Sequence, residues 1–227
     1  MLIAGWEKNS FVDYPGKIAV VVFTPGCNLD CYYCHNRSLL IPEKNPELIS
    51  EIDVFAYLEK RRGLLDAVVI SGGEPTLQKD LAEFIGKVKE KGFLVKLDTN
   101  GTNPQVLKML LKANLLDYIA MDFKAPFSKY KEICATDSFE AEIKASIKLL
   151  LEGKVAYEFR TTVVPELSEV DIWEMAQVIA GAHYYYLQQY RPPEFLPETR
   201  EPHNPAFLRR AALRAAEWVN VCKTRGI

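Results

Sequence analysis

Three cysteines fall within eight consecutive positions of this chain, in the stretch TPGCNLDCYYCHN. Three residues separate Cys27 from Cys31, and two separate Cys31 from Cys34. Thiolates grouped in this way could bind a metal ion or an iron–sulfur cluster. A reducing cytosol disfavours the alternative, a disulfide framework. Cys134 and Cys222 stand apart from the group in sequence, and we expect them to be small buried hydrophobic side chains.

Several interpretations of the cysteine group compete. The run from Cys31 to His35 matches the haem-attachment pattern C-x-x-C-H, but haem attachment needs an exported protein and gives Cys27 no role. A zinc site would require the adjacent residues Cys34 and His35 to reach one tetrahedral ion. A C-x-x-C redox pair also gives Cys27 no role. An iron–sulfur cube held by only three cysteines would keep one iron open for an exogenous chelating ligand, as catalytic metal sites do.

The elements that would position these residues alternate along the chain. Short apolar runs are typical of strands covered on both faces, and they occupy residues 17–23, 67–71, 93–98, 118–122, 155–163 and 184–190. Helical periodicity occupies residues 50–63, 77–92, 103–114, 139–153, 167–182 and 205–223. Strict alternation predicts an α/β fold with a parallel sheet and right-handed crossovers. An open doubly wound sheet and a six-stranded partial barrel both satisfy this pattern.

Polar residues gather where these strands end, which is where parallel sheets carry their functional groups. The groups are the cysteine loop, Ser71-Gly72-Gly73-Glu74-Pro75, Asp98-Thr99-Asn100-Gly101, Asp122-Phe123-Lys124, and Gln188-Gln189-Tyr190. Arg160 lies within the fifth apolar run, where a charge is costly unless it is paired, so we expect it to have an anionic partner. The sequence therefore predicts one shared pocket at one edge of the sheet.

The pattern C-x-x-x-C-x-x-C, with an aromatic residue before the last cysteine, resembles the signature of the radical S-adenosylmethionine (SAM) superfamily. The resemblance implies a six-stranded partial (β/α)6 barrel, and we expect a single domain over residues 1–227, with a core at about 17–190. It also implies that Cys27, Cys31 and Cys34 bind a [4Fe–4S] cluster whose open iron is chelated by SAM. One electron from the cluster would then break the sulfonium bond, and a 5′-deoxyadenosyl radical would abstract a hydrogen atom.

The same resemblance implies SAM contacts at the other polar groups. GGE motifs contact the SAM amino group, D-T-N-G stretches lie beside SAM, and the lysine of D-x-K lies near the SAM carboxylate. The implied contacts are Tyr33, Gly72, Gly73, Glu74, Pro75, Asp98, Thr99, Asn100, Asp122, Lys124 and Arg160, together with Gln189 where related activases have a histidine. The hard oxygen ligands of Asp98, Thr99 and Asp122 could also hold a monovalent cation.

Further runs narrow the resemblance to activases of glycyl radical enzymes. Cys-His-Asn-Arg at 34–37 and the phrases SFVDYPGK, MDFKAP and LQQYRP resemble activating proteins of anaerobic ribonucleoside-triphosphate reductase. The resemblance implies a glycyl radical on that partner enzyme, with flavodoxin or ferredoxin as the electron donor. Three alternatives stay open: activation of a pyruvate formate-lyase type enzyme, a small-molecule enzyme such as 7-carboxy-7-deazaguanine synthase, and a structural metal-binding module.

Composition limits the partners and the compartment. The chain has 227 residues, 48% of them hydrophobic, which is enough for one sizeable core. Its 28 basic and 30 acidic residues give a net charge of −2 without a strongly basic segment, so we expect no nucleic-acid partner. The start of the chain lacks the pattern of a signal peptide, and no apolar run reaches membrane-spanning length. We therefore expect a cytoplasmic protein without a membrane partner.

Overall fold

The structure, a computed structural model, describes residues 1–40, 48–194 and 200–227. Its strands are β1 (Gly5–Ser10), β2 (Ala19–Thr24), β3 (Ala67–Gly72), β4 (Leu94–Thr99), β5 (Tyr118–Asp122), β6 (Ala156–Val163), β7 (Tyr184–Gln189) and β8 (Val221–Arg225). Its α-helices are α1 (Glu51–Lys60), α2 (Leu81–Glu90), α3 (Pro104–Lys112), α4 (Tyr130–Cys134), α5 (Glu140–Leu151), α6 (Glu169–Val178) and α7 (Pro205–Ala215). No helix in these described ranges is long and apolar enough to cross a bilayer.

The strands form one sheet in the order of the chain, from β1 to β8. Strands β2 to β7 are parallel and correspond to the six predicted strands. Because right-handed crossovers between sequential parallel strands lie on the same side, the helices that join β2 to β7 cover one face of the sheet. A doubly wound sheet would reverse its strand order, so the observed order excludes that alternative.

The sheet has eight strands, so the predicted count of six is wrong. The first additional strand, β1, pairs antiparallel with β2 at one edge of the sheet. Its residues Glu7, Lys8 and Asn9 are exposed, and the strand contains no continuous apolar run. The strand prediction rests on continuous apolar runs, which are typical of strands buried on both faces. An edge strand that faces water lacks that pattern.

The second additional strand, β8, replaces the end of the predicted helix at residues 205–223. Helix α7 ends at Ala215, and β8 then pairs parallel with β7 at the other edge of the sheet. Backbone hydrogen bonds from Gly181 to Trp218 (2.8 Å) and from Asn220 to Ala182 (2.9 Å) direct the chain towards this edge. These are long-range contacts, which helical periodicity cannot reveal.

The two faces of the sheet differ in composition. The face under the helices is apolar and contains most of the core. The opposite face, here called the inner face, is closed at its amino-terminal end by Tyr14, which packs on Val21 and Val69. Towards the carboxyl ends of the strands, the inner face carries charged residues such as Lys96 and Glu158, both almost fully buried. The fold therefore concentrates buried charge beneath the expected pocket.

Candidate functional site

A cavity of about 200 Å³ lies at the carboxyl ends of the strands. Twelve of the predicted site residues line it: Cys27, Cys31, Tyr33, Cys34, Gly72, Gly73, Glu74, Asp98, Thr99, Asn100, Asp122 and Lys124. The remaining three, Pro75, Arg160 and Gln189, do not line it. The lining also includes Leu29, His35, Asn36, Leu40, Ser71 and Thr162, which were not among the predicted site residues. The structure thus brings the separate polar motifs together in one place.

The loop that carries the cysteines rests on helix α4. The backbone N–H of Asp30 donates to the carbonyl of Cys134 (3.2 Å), and that of Tyr32 donates to the carbonyl of Ile133 (3.3 Å). Within the loop, the N–H of Cys34 donates to the carbonyl of Cys31 (3.1 Å). Neither α4 nor its contact with the loop was predicted, because a helix of five residues is too short to show a periodic pattern.

The thiols of this loop have different electrostatic environments. Burial raises the pKa of Cys27 to about 11 and also raises the pKa of Cys34. A side-chain hydrogen bond with Cys134 lowers the pKa of Cys31 to about 7. Cys134 is fully buried, as expected, but it lies against Cys31 rather than apart from the group. The Lys124 ammonium acts to lower the pKa of all three cavity thiols and so favours their thiolate forms.

The arrangement of these donors fits a cluster better than a single metal ion. Within the described part of the chain, no three His, Cys, Asp or Glu side chains converge on a position for one ion. Sulfur atoms that bind different irons of a cube need not converge in this way. His35, the fourth ligand in the zinc interpretation, has an exposed side chain. Cys27, Cys31 and Cys34 nevertheless line the same cavity, as ligands of one cluster would.

Two glycines allow the end of β3 to lie directly against the cysteine loop. A Cβ atom on Gly73 would collide with the carbonyl oxygen of Gly26, and one on Gly72 would collide with the backbone of Thr24. Gly72 also has a φ of +118°, which residues with a side chain rarely adopt. The close approach is held by hydrogen bonds from the N–H of Gly73 to Thr24 (2.8 Å) and from the N–H of Glu74 to Gly26 (2.8 Å).

The carboxylate of Glu74 connects this turn to the end of β4. It accepts hydrogen bonds from the backbone and hydroxyl of Thr76 (3.1 and 2.6 Å), the hydroxyl of Thr99 (2.8 Å) and the N–H of Asn100 (2.7 Å). Burial raises the pKa of Glu74, while these four hydrogen bonds act in the opposite direction. Glu74 lines the cavity and also fixes the two turns relative to each other, a structural role that its motif did not indicate.

A row of alternating charges crosses the inner face beneath the cavity. Lys96 pairs with Asp98 on β4, and Arg160 on β6 bonds both Asp98 (3.2 Å) and Asp122 (2.8 Å). Asp122 also accepts a hydrogen bond from Lys124 (3.1 Å). Burial alone would raise the pKa of Asp122, but Arg160 and Lys124 together hold that pKa well below its ordinary value.

This charge row supplies the anionic partner expected for Arg160 and affects the predicted cation site. Asp98 and Asp122 already bond cationic side chains, so a monovalent cation there would compete with Arg160 for both carboxylates. Lys124 is the only cation of the row that lines the cavity, and its ammonium therefore suits an anionic group of a ligand.

The hydroxyl of Tyr33 is a second feature that suits a ligand. This hydroxyl is buried and bonds no partner in the described part of the chain, and Tyr33 is one of the residues that line the cavity. Burial raises the pKa of Tyr33 well above its ordinary value, so the hydroxyl stays protonated. Buried polar atoms are normally hydrogen-bonded, and an exception beside a cavity indicates a missing partner. The cavity thus offers three thiols and the Lys124 ammonium, with the unpaired Tyr33 hydroxyl beside them, a donor set that fits a cluster with a charged organic ligand.

Gln189 lies outside this arrangement. Its amide donates to the carbonyl of His203 (3.0 Å), and the sheet register places Gln188, rather than Gln189, opposite Thr162 on the inner face. Side chains alternate between the two faces of a strand, so a shift of one position along β7 decides whether a side chain lies on the inner face. Pro75 is buried at the start of a short 3-10 helix and supports the turn without reaching the cavity.

Comparisons with known proteins agree with this geometry. Residues 21–179 match the radical SAM superfamily. A Methanocaldococcus jannaschii protein, provisionally named a glycyl-radical enzyme activating enzyme, is 42% identical over 204 residues, which covers 85% of this chain and 81% of that protein. A Pyrococcus horikoshii protein, provisionally named a GTP 3′,8-cyclase, is 32% identical over 158 residues, which covers 68% of this chain and 49% of that protein.

A solved structure with the same fold contains SAM. Streptococcus suis SuiB bound to S-adenosylmethionine superposes with a TM-score of 0.71 at 16% identity, and the match covers 91% of this chain and 52% of SuiB. At this identity the likeness concerns the fold alone. The family match, in contrast, spans well over half of the chain and includes all three cavity cysteines. The chain belongs to the radical SAM superfamily and is a radical SAM enzyme.

Proposed function

We propose that this enzyme generates a glycyl radical on a partner protein, and that the partner is an anaerobic ribonucleotide reductase. Cys27, Cys31 and Cys34 would bind a [4Fe–4S] cluster, and SAM would bind to its open iron. Given one electron from the proposed donor, the bound cluster and SAM would supply the radical chemistry for removing a hydrogen atom from one glycine. Flavodoxin or ferredoxin is the proposed electron donor, and the cytoplasm, where thiols stay reduced, is the proposed location.

The observation that carries this proposal is the number of thiols at the cavity. Cys27, Cys31 and Cys34 line it, whereas Cys134 contacts Cys31 but does not line it. Three ligands would leave one iron of a cube open, and that open position is what SAM requires. If Cys134 were a fourth ligand instead, the cluster would be closed and the proposal would fail.

The polar residues of the cavity would orient SAM. The Lys124 ammonium suits the SAM carboxylate, since charge-assisted hydrogen bonds are the stronger kind. Glu74 has one carboxylate oxygen that accepts a single hydrogen bond, from Asn100, so this oxygen can accept another from the SAM ammonium. Arg160 would act indirectly, by holding Asp98 and Asp122 in place.

The relatives favour an activase over a small-molecule enzyme. The relative named as an activating enzyme is matched over 81% of its length. The relative named as a cyclase is matched over only 49% of its length, so half of that protein has no counterpart in the match. The glycine substrate is also chemically suitable, because its Cα is not shielded by a side chain. The principal alternative is activation of a different glycyl radical enzyme, such as one of the pyruvate formate-lyase type.

The deciding experiment uses protein that has been reconstituted with iron and sulfide without oxygen. It is reduced and incubated with SAM and with candidate glycyl radical enzymes, and the product is examined by electron paramagnetic resonance. We expect a glycyl signal with anaerobic ribonucleotide reductase. A signal only with another glycyl radical enzyme would change the partner. SAM cleavage without a glycyl signal on any candidate would reject the activase function.

Three cysteine variants test the cluster ligands. We expect Cys31→Ala to lose both the four-iron cluster and SAM cleavage. Cys222→Ala, a matched substitution in β8, should keep both, because Cys222 does not line the cavity. Cys134→Ala should also keep the cluster, because Cys134 does not line the cavity. Loss of the cluster in Cys134→Ala, with wild-type stability, would indicate a fourth protein ligand and contradict the proposal.

A further inference from the structure

A closed ring of hydrogen bonds lies beside Cys27. The amide of Asn28 donates to the hydroxyl of Thr102 (2.8 Å), which donates to the carbonyl oxygen of Asn100 (2.7 Å). The amide of Asn100 then donates to the carbonyl oxygen of Asn28 (3.0 Å). Each side chain donates once and accepts once, and all three hydrogen bonds run in the same direction. Such a ring is cooperative, because each hydrogen bond polarises the next.

The ring and a backbone hydrogen bond together determine the orientation of the Asn100 side chain. Its carbonyl oxygen accepts a second hydrogen bond, from the backbone N–H of Thr102 (3.0 Å). A flipped amide would place its NH₂ group against that backbone donor, so the flip is disfavoured. Asn100 and Thr102 are only 5% and 6% exposed, so water cannot easily replace these hydrogen bonds.

The orientation directs one N–H of Asn100 at the sulfur of Cys27. One hydrogen of the amide is used by Asn28, and the other faces Cys27 Sγ at a nitrogen–sulfur distance of 3.8 Å. The backbone N–H of Leu29 is a second donor to the same sulfur, at 3.4 Å. Both amide hydrogens of Asn100 are therefore used within the protein, so its side chain has no donor left for SAM.

We propose that Asn28, Thr102 and Asn100 raise the reduction potential of the cluster through Cys27. Donors that point at a ligand sulfur stabilise the reduced cluster, because it carries more negative charge than the oxidised one. Asn100 supplies the donor, while Asn28 and Thr102 are positioning residues that hold it in place. The inference rests on the cluster in the proposed function and does not depend on the identity of the partner enzyme.

The test compares two substitutions of Thr102 in reconstituted protein with the full iron content. Thr102→Val keeps the shape of the side chain but removes the hydroxyl, so the ring opens. We expect its cluster to have a more negative midpoint potential in a redox titration followed by electron paramagnetic resonance. Thr102→Ser keeps the hydroxyl and should stay close to the wild-type potential. A Thr102→Val cluster with the wild-type potential would overturn the inference.

Two further variants keep the result interpretable. Asn28→Ala opens the ring at a half-buried position and replaces Thr102→Val as the test if that variant does not take up a cluster. Its midpoint potential should also be more negative than that of the wild type. An unchanged potential in Asn28→Ala would then overturn the inference. Thr224→Val is the matched control in β8 and should leave the potential unchanged. If the wild-type protein assembles no four-iron cluster, the proposed function fails. If the variants assemble the cluster with the wild-type midpoint potential, only the inference about the hydrogen-bond ring is rejected.

Discussion

At the scale of single residues, Glu74 and Lys124 show how the cavity combines binding with support. Glu74 is 1% exposed and accepts hydrogen bonds from two different turns, so it belongs to the scaffold as well as to the cavity wall. Among the described residues, the ammonium of Lys124 bonds only Asp122, which leaves donors for a ligand in the cavity. Substitution of these two residues should therefore have different effects.

We expect Glu74→Gln to lower the free energy of unfolding by about 2 kcal/mol, because an amide NH₂ would face donors that now bond a carboxylate oxygen. Urea unfolding of the wild-type and variant proteins measures this difference. Glu83→Gln is a matched control, since Glu83 pairs with Lys87 on the surface and its side chain is 68% exposed. Equal loss of stability in both variants would contradict a special role for Glu74.

We expect Lys124→Ala to weaken SAM binding roughly tenfold to a hundredfold, because a hydrogen bond to a charged group contributes about 1.5–3 kcal/mol. The cluster content should change little, since Arg160 still pairs with Asp122. Titration of the reconstituted protein with SAM gives the affinity, and iron analysis gives the cluster content. Lys131→Ala is the matched control on the surface. Unchanged SAM affinity in Lys124→Ala would reject its proposed role.

At the scale of elements, the strands with continuous apolar runs were predictable and the edge strands were not. The runs that became β2 to β5 are buried along most of their length, which leaves a clear signal in the sequence. Strand β8 has the sequence VCKTR and forms only because β7 is available as its neighbour.

The grouping of polar motifs at the strand ends was predictable from topology. The roles of Asn28, Thr102 and Cys134 were not, because they depend on contacts between loops.

Helix α6 shows that local signals can be reliable. Ser168 directly precedes this helix, where a serine hydroxyl is typical of a cap, and its hydroxyl accepts from the N–H of Asp171 (3.2 Å) while Asp171 accepts in return from the N–H of Ser168 (2.7 Å). Such a capping box satisfies backbone donors that would otherwise be unpaired. Lys129 adds a hydrogen bond to Asp171 (2.8 Å) and thereby ties α6 to the loop after β5.

We expect Ser168→Ala to reduce the free energy of unfolding by about 1 kcal/mol, the typical loss when a helix cap is removed. Denaturant unfolding followed by circular dichroism measures it. Ser138→Ala provides the comparison, because Ser138 lies on an exposed turn and caps no helix. A change below the experimental error in Ser168→Ala would show that Lys129 and Asp171 hold the start of α6 without the hydroxyl.

At the scale of the whole molecule, the sheet is open between its edge strands. Strands β1 and β8 each have one neighbour in the sheet, so the inner face is not closed by further pairing within the described residues. Charged residues on β1, such as Glu7 and Lys8, disfavour pairing with a foreign strand at that edge. An opening on this side suits a substrate that is a loop of a large protein, which is what the proposed function requires.

The organisation of all 227 residues as one domain is still a prediction, and unfolding can test it. Trp6 lies at the β1 edge, while Trp173 and Trp218 lie near the β8 edge. We expect fluorescence and far-ultraviolet circular dichroism to give coincident urea transitions, because a single cooperative unit loses both edges together. Two separated transitions would show that the edges belong to independently folding units.

The charge row on the inner face has a consequence for how this protein can diverge. Arg160 forms ion pairs with two carboxylates that lie on different strands. Loss of either carboxylate would leave a nearly buried guanidinium with one anionic partner instead of two. Tolerated replacements at Asp98, Asp122 and Arg160 should therefore arise as linked changes in natural lineages. A library that randomises the three codons together should recover functional combinations that are absent from three separate single-site libraries.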